Sequence, residues 1–257
     1  MKILSCDTSN RACSVCLWED GRAVDTRFRN DGLTHSQTFM PQMHDLMEKN
    51  GRKYEDLDIL ACTVGPGSFT GIRIGVAAVK TMALVLGKPA IPVSSLAAMA
   101  WPLRDEDALV VALIDCRNHR AFAGGFYKGS TVISERAEDV DEIRKACIAW
   151  RDENLPGKKI LLLGTGAKLF LEPEAGLAPE DQAEYRDGFD EILPESVAAV
   201  AEKRAGGEGP DALLKDYPAV ALMPVYLGKT QAERNAKAQG KETKDVPIRY
   251  YSTDENS

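Results

Sequence analysis

This 257-residue sequence has few histidines, and it lacks a glycine-lined phosphate loop and the paired Cys-x-x-Cys motifs of a metal site. The three histidines, His35, His44 and His119, are scattered, and Cys13-x-x-Cys16 has no second pair. No Gly-Lys-Ser/Thr follows a glycine-rich turn, so the sequence contains no Walker A loop. We therefore expect no metal site, no tightly bound cofactor, and neither ATP turnover nor peptide cleavage by the chain alone.

Long apolar runs and an excess of basic residues are also missing. No apolar run approaches the roughly 20 residues of a membrane span, and the short apolar start is unlike a signal peptide. We expect a cytoplasmic chain that makes no membrane contact. The net charge is −7, and residues 171–211 hold twelve acidic and three basic side chains. This distribution argues against a chain that grips nucleic acid by itself. The six cysteines lie mostly in apolar stretches, which predicts free buried thiols.

The most informative stretch is Gly65-Pro66-Gly67-Ser68-Phe69-Thr70-Gly71-Ile72-Arg73-Ile74-Gly75. The residues before it, 57–64, read as a buried strand. Ser68 or Thr70 can cap a helix that runs to about Leu86 and is ended by Gly87. The glycine-rich turn could hold an anion at the helix start, or it could be purely structural.

The predicted helix is apolar on nearly every side. Such a helix must be covered on nearly every side, by its own sheet and by a second layer from this chain or a partner. The pattern is equally typical of a central core helix. If Ile72, Val76 and Val79 face out of the lobe, they form a partner surface. Gly71 and Gly75 would then leave a strip where another backbone can come close.

The chain contains an internal repeat with an offset of 108 residues. Asp7 corresponds to Asp115 and Gly21 to Gly129, each in a matching turn between predicted strands. Each half continues as helix, strand, helix. The sequence therefore predicts two α/β lobes, each β-β-β-α-β-α with a mixed sheet. We place the first at 1–104, a smaller second lobe at 105–227, and a polar, disordered tail at 228–257.

A duplicated lobe with an Asp-containing first turn resembles the actin-like (RNase H-like, ASKHA) superfamily. More narrowly, residues 3–9, Thr34-His35-Ser36-Gln37, the long glycine-rich block and Pro224-Val225-Tyr226-Leu227 resemble the bacterial TsaB (YeaZ) family. The resemblance implies a non-catalytic subunit required for threonylcarbamoylation of the adenosine next to the anticodon, in tRNAs reading codons that begin with A. It implies a catalytic paralogue, TsaD, as partner, with the ATPase TsaE and with TsaC. Contact with tRNA would come only through the complex, and a homodimer would form without the partner.

Two enzyme classes compete with this scaffold role. A metallopeptidase-like enzyme would need paired histidines, yet His35 and His44 are nine apart and point to opposite sides of a straight helix. A small-molecule kinase of the same fold would need glycine in its phosphate turns, and neither Asp7-Thr8-Ser9 nor Asp115-Cys116-Arg117 contains one. An ATP or ADP site shared with the partner stays open.

The sequence thus singles out two sets of residues. The predicted partner interface consists of Thr70, Gly71, Ile72, Arg73, Gly75, Val76, Val79 and Lys80. The weaker candidates for nucleotide contact are Asp7, Thr8, Ser9, Gly65 and Gly67.

Overall fold

A computed structural model describes residues 1–31, 35–172 and 183–228. The predicted tail lies outside the described residues, apart from Gly228, and so does Thr34 at the predicted start of the first helix.

The first half of the chain builds a five-stranded sheet with three helices. Its elements are β1 (Lys2–Asp7), β2 (Cys13–Glu19), β3 (Arg22–Arg29), α1 (His35–Lys49), β4 (Ile59–Gly65), α2 (Phe69–Leu86), β5 (Ala90–Ser94) and α3 (Ser95–Ala100).

The second half repeats this order and then adds helices. Its elements are β6 (Leu109–Asp115), β7 (Arg120–Tyr127), β8 (Ser130–Asp139), α4 (Val140–Asn154), β9 (Ile160–Leu163), α5 (Ala167–Leu171), β10 (Ala183–Tyr185), α6 (Pro194–Ala205) and α7 (Pro210–Asp216). Short 3₁₀ helices lie at Tyr54–Asp56, Trp101–Leu103 and Ala219–Ala221.

The two sheets have the same topology, which confirms the predicted duplication. The first has the order β3-β2-β1-β4-β5 and the second β8-β7-β6-β9-β10. In each sheet the first three strands are antiparallel and the later pairs are parallel. Both sheets are therefore mixed. The positions of Asp7 and Asp115 correspond, because each ends the first strand of its sheet.

The chain is arranged in five layers. Helices α1 and α2 cover one face of the first sheet, with a core that includes Phe39, Leu46 and Val76. A second core between the two sheets includes residues of α3 and α6. Helices α4 and α5 cover the far face of the second sheet. Each sheet thus buries both faces, which explains the continuous apolar runs of β4, β6 and β9.

The C-terminal part of the predicted second lobe packs on the first lobe. Helix α6 lies against all five strands of the first sheet. Farther along, Ala219 and Leu222 are buried in the core beneath α1 and α2. The boundary near residue 104 separates the two sheets, but residues after about 190 cross back. Their order in the chain assigned these residues to the second lobe. In the structure the layer between the two sheets needs apolar side chains that cover both sheets, and α6 supplies them.

Candidate partner interface

Helix α2 begins and ends where the sequence predicts. The side chain of Ser68 accepts a hydrogen bond from the backbone N–H of Gly71, 3.2 Å away, so Ser68 is the N-cap. Gly87 ends the helix in the left-handed conformation, with φ of 63°, which glycine adopts without steric cost. The glycine-rich turn therefore serves as the entrance to a capped helix.

One predicted part of the interface is wrong in its orientation. Ile72, Val76 and Val79 are buried within their own lobe, and Val76 is 4% exposed. They pack with α1 and the first sheet. The stripe that they form is the core-facing side of α2, because a mixed sheet needs an apolar helix on this face. These three side chains are unavailable to a partner in this structure.

Gly71 and Gly75 also face inward. A Cβ atom at Gly71 would lie 2.0 Å from the carbonyl oxygen of Thr8, and one at Gly75 would lie 2.4 Å from Thr8 Oγ1. The backbone that comes close to this glycine strip is therefore the chain's own β1–β2 turn. The hydroxyl of Thr8 donates a hydrogen bond of 2.8 Å to the carbonyl oxygen of Gly71, so the turn and helix are joined directly.

The opposite side of α2 is open to solvent, and we call it the outer face: Thr70, Arg73, Ala77, Thr81, Leu84 and Val85. Leu84 is 52% exposed and Val85 is 81% exposed. Among the described helices, α2 alone is long and apolar enough to cross a membrane by length and composition. Its inward face packs in a core, so the unusual feature is the pair of large apolar side chains, Leu84 and Val85, exposed on the outer face. Large exposed apolar surfaces mark interaction sites.

The two basic residues of α2 hold the C-terminal segment, residues 219–228, which we call the strap. Lys80 Nζ donates to the carbonyl oxygens of Val220 and Leu222, at 2.8 and 3.2 Å. Arg73 Nε donates to the hydroxyl of Tyr226 at 2.8 Å. The Arg73 guanidinium also lies 3.8 Å from the centre of the Phe69 ring, a cation–π distance. Arg73 and Lys80 thus bind the strap in this structure.

The binding of the strap by Arg73 and Lys80 was not predicted, because the strap residues were assigned to the second lobe. The motif Pro224-Val225-Tyr226-Leu227 was used only as part of the resemblance to the TsaB (YeaZ) family. The apolar run Ala219–Leu227 was the available signal, since so apolar a segment needs a surface to cover.

The first Asp turn is filled by the chain's own side chains. Asp7 Oδ1 accepts hydrogen bonds from Ser9 N at 2.9 Å, Ser9 Oγ at 2.6 Å and Thr63 Oγ1 at 2.6 Å. Burial raises the pKa of Asp7, and these hydrogen bonds oppose that shift. Asp7, Thr8 and Ser9 are all buried. The turn is a structural support for α2 in this conformation.

The glycines beside this turn have the same use. Ser68 N donates to the carbonyl oxygen of Ser9 at 2.7 Å. A Cβ at Gly67 would lie 2.3 Å from that oxygen, and one at Gly65 would lie 2.5 Å from the carbonyl oxygen of Val225. Gly65 and Gly67 therefore permit close packing of the β1–β2 turn and the strap. Contact of these residues with a nucleotide stays a prediction.

The corresponding turn of the second lobe is more open. Asp115 is exposed and accepts a hydrogen bond of 2.7 Å from Arg117 N. Arg117, Asn118 and His119 follow with φ of 71°, 57° and 57°, a conformation that non-glycine residues rarely adopt. Residues other than glycine thus occupy this turn throughout.

The histidines are as scattered in space as in sequence. His35 Nε2 lies 2.8 Å from the carbonyl oxygen of Asn10. His44 is exposed and lies 3.9 Å from Glu48. His119 is near Asp139 and Asp141, with one ligand atom of each within 4.8 Å of the others. The Asp139 side chain caps α4, however, and Arg144 forms an ion pair with Asp141. Both carboxylates therefore already have a partner within the chain.

The cysteines agree with the sequence argument. None of the six forms a disulfide in the part of the chain that the structure describes, and Cys6, Cys13, Cys16, Cys62 and Cys147 are buried. Burial raises the pKa of Cys16 to about 12 and that of Cys147 to about 12. These thiols stay protonated at neutral pH and are poor nucleophiles and poor metal ligands.

Two duplicated β-β-β-α-β-α lobes with helices between and outside the sheets define a protein of the actin-like (ASKHA) class. Comparison with known proteins narrows this class. Residues 32–170 match the family model described as "TsaD: tRNA N6-adenosine threonylcarbamoyltransferase". The tRNA threonylcarbamoyladenosine biosynthesis protein TsaB of Escherichia coli is 31% identical over 207 residues, which cover 79% of this chain and 88% of that protein.

Other relatives agree with these matches. TsaB of Bacillus subtilis is 34% identical over 124 residues, covering 48% of this chain and 54% of that protein. The solved structure of YeaZ from Pseudomonas aeruginosa superposes with a TM-score of 0.68 at 27% identity, covering 88% of this chain and 99% of that one. The chain belongs to the TsaB (YeaZ) family. Its relatives are named for the synthesis of threonylcarbamoyladenosine in tRNA, which supports a role in that process.

Proposed function

We propose that this chain is the non-catalytic partner subunit that a TsaD-type threonylcarbamoyltransferase needs to modify the adenosine next to the tRNA anticodon. The substrate tRNAs are those that read codons beginning with A. The observation that carries the proposal is the outer face of α2, which exposes Leu84 and Val85, in a chain whose relatives are named for threonylcarbamoyladenosine synthesis.

The non-catalytic part of the proposal rests on how the polar groups are used. In the described residues, the Asp7 carboxylate accepts three hydrogen bonds from within the chain. His35 bonds to Asn10, and His44 lies at the surface. Catalysis needs a group with free bonding capacity beside a substrate position. Asp7 Oδ1 and His35 are engaged within the chain, and His44 stands apart from both, so neither the kinase nor the metallopeptidase alternative gains support here.

The partner part rests on the similarity to the transferase family. The family model matched by residues 32–170 covers α1 and α2. A transferase subunit of that family should therefore present a related pair of helices. Two related surfaces can pack across an approximate two-fold axis, as identical ones do in a homodimer. The residues that border this contact are Thr70, Arg73 and Lys80. The buried residues on the inward side of α2 support the contact by fixing the helix in place: Gly71, Ile72, Gly75, Val76 and Val79.

The remaining partners follow from the same assignment. We propose that a TsaE-like ATPase joins the pair, that TsaC supplies threonylcarbamoyl-adenylate, and that tRNA contacts this chain only within the complex. A homodimer through α2 replaces the heterodimer when the transferase is absent, and the complex acts in the cytoplasm. An ATP or ADP site shared with the partner belongs to this proposal. A nucleotide could reach Asp7, Thr8 and Ser9 only after the buried β1–β2 turn opens.

Reconstitution tests the proposed function. The transferase, the ATPase and the adenylate-forming enzyme of the same organism are combined with tRNA, threonine, bicarbonate and ATP. Threonylcarbamoyladenosine is then measured by mass spectrometry of the tRNA nucleosides. We expect product only when this chain is added, and no ATP or peptide hydrolysis by this chain alone. Product formation at equal rates without the chain would refute the proposal.

A further inference from the structure

The strap lies beside the outer face of α2 and adds apolar side chains to it. Val220 is 65% exposed and Met223 is 54% exposed. Within the described part of the chain, five of the nine exposed large hydrophobic side chains lie on α2 or the strap. They are Phe69, Leu84, Val85, Val220 and Met223. The exposed apolar surface is thus concentrated on two segments far apart in sequence.

The strap is held in place rather than loosely laid on the helix. Its Ala219 and Leu222 are buried in the core beneath α2. The backbone N–H of Val225 donates to the carbonyl oxygen of Val64 at 2.8 Å. The Lys80 ammonium bonds to strap carbonyl oxygens on either side of residue 221. A segment fixed at so many points presents its exposed side chains at a small further cost in conformational entropy.

The alternation of buried and exposed side chains along the strap is also informative. Ala219 and Leu222 point into the core, whereas Val220 and Met223 point out. The inward-facing side chains fix the strap against the core. Val220 and Met223 face outward and are therefore not needed to fill the core of this chain. Their exposure instead continues the apolar outer face of α2 across Lys80, which contacts Met223 Sδ at 3.7 Å.

The basic side chains at this boundary already have partners within the chain. Lys80 is bonded to carbonyl oxygens, and Arg73 is bonded to Tyr226 and stacked on Phe69. The surface across α2 and the strap thus combines exposed apolar side chains with two cations that are held by bonds within the chain. Such a surface fits an apolar helix surface on the partner better than an anionic ligand such as tRNA.

We propose that the strap forms part of the binding surface for the TsaD-like subunit, with Val220 and Met223 in direct contact with it. This inference rests on the proposed function and adds the second segment of the interface. The occupant is the transferase because the outer face of α2, with which the strap is continuous, faces the transferase in that proposal. Lys80 and Arg73 act by holding the strap.

The test is the affinity of the full chain for the purified transferase, measured by isothermal titration calorimetry. Val220→Glu is compared with Leu171→Glu, which also places an acid at an exposed apolar position but on α5 of the second lobe. Met223→Glu is the second strap variant if Val220→Glu does not fold. Thermal melts show that each variant remains folded. We expect Val220→Glu to weaken binding by roughly tenfold or more and Leu171→Glu by less than about twofold.

Ala77→Arg, in the middle of the outer face, separates the two proposals. If Ala77→Arg weakens binding and both strap variants bind like the wild type, the strap inference is wrong and the α2 interface stands. If the wild-type chain does not bind the transferase at all, the proposed function fails and the strap inference with it. If the strap variants disturb only self-association of this chain, the surface serves a second copy and the transferase assignment is wrong.

Discussion

The contact between the glycine strip of α2 and Thr8 yields a sharp prediction about stability. In Gly71→Ala, the new Cβ would start 2.0 Å from a backbone carbonyl oxygen. The helix or the β1–β2 turn must move by about 1 Å to relieve this overlap, and overpacking of this kind costs about 1–3 kcal/mol. Better helix propensity returns at most about 1 kcal/mol.

Gly75→Ala differs because its overlap is with a side chain. The new Cβ would lie 2.4 Å from Thr8 Oγ1, but 3.6 Å from Thr8 Cβ and 3.7 Å from Thr8 Cγ2. Removing the hydroxyl with Thr8→Ala therefore removes the overlap, at the cost of the hydrogen bond to Gly71, about 1 kcal/mol. The same substitution leaves the carbonyl oxygen that opposes Gly71→Ala in place.

A double-mutant cycle measures this difference by urea unfolding. We expect Thr8→Ala and Gly75→Ala to couple by about 1–2 kcal/mol, so that the double variant is more stable than the sum predicts. Thr8→Ala should relieve Gly71→Ala by much less, because the carbonyl oxygen of Thr8 that opposes the new Cβ stays in place. Each kcal/mol corresponds to about 2–4 °C in Tm for a chain of this size. Equal coupling in the two cycles would refute the assignment of the close approach to Thr8.

Three further predictions concern other parts of the molecule. Val76→Arg should leave the chain insoluble or unfolded, because a charge enters the core, whereas the neighbouring Ala77→Arg should stay folded; circular dichroism and sedimentation distinguish them. Hydrogen bonds, the strongest from Asn50, lower the pKa of Asp25 to about 2. The Asp25 carboxylate therefore stabilises the fold above its unfolded-state pKa of about 4, and this stabilisation is lost as the pH falls towards 2. Urea titrations at several pH values should show a smaller acid sensitivity in Asp25→Asn. Arg144→Met should destabilise by about 3 kcal/mol in urea, because buried Arg144 bonds to three backbone carbonyl oxygens; a loss below about 0.5 kcal/mol would contradict this.

Local rules and repetition predicted most of the fold. The caps Ser68 and Gly87 fixed the limits of α2, and the Asp7–Asp115 repeat predicted two sheets of equal topology. The short elements α5 and α7 were missed, because five- and seven-residue helices have too few turns to show a period. The return of α6 to the first sheet was also missed, because contacts between distant segments leave no local pattern.

The proposed interface keeps the helix that the sequence singled out but uses the side opposite to Ile72, Val76 and Val79. A helix that is apolar all round gives no polar face from which to read direction, so Val76 and Val85 look alike in the sequence. The structure separates them, at 4% and 81% exposed. The glycine strip was ambiguous for a related reason. Gly71 and Gly75 predict that some backbone comes close, and only the tertiary structure identifies it as Thr8.

The central claim is that this chain supports threonylcarbamoylation through the outer face of α2. The most direct measurement is the threonylcarbamoyladenosine content of tRNA in cells whose only copy of this chain is Ala77→Arg. The control is Val24→Arg, at an exposed position on β3 of the same lobe. We predict a large loss of the modified nucleoside with Ala77→Arg, at normal levels of the protein, and a wild-type content with Val24→Arg. A wild-type content with Ala77→Arg would contradict the account.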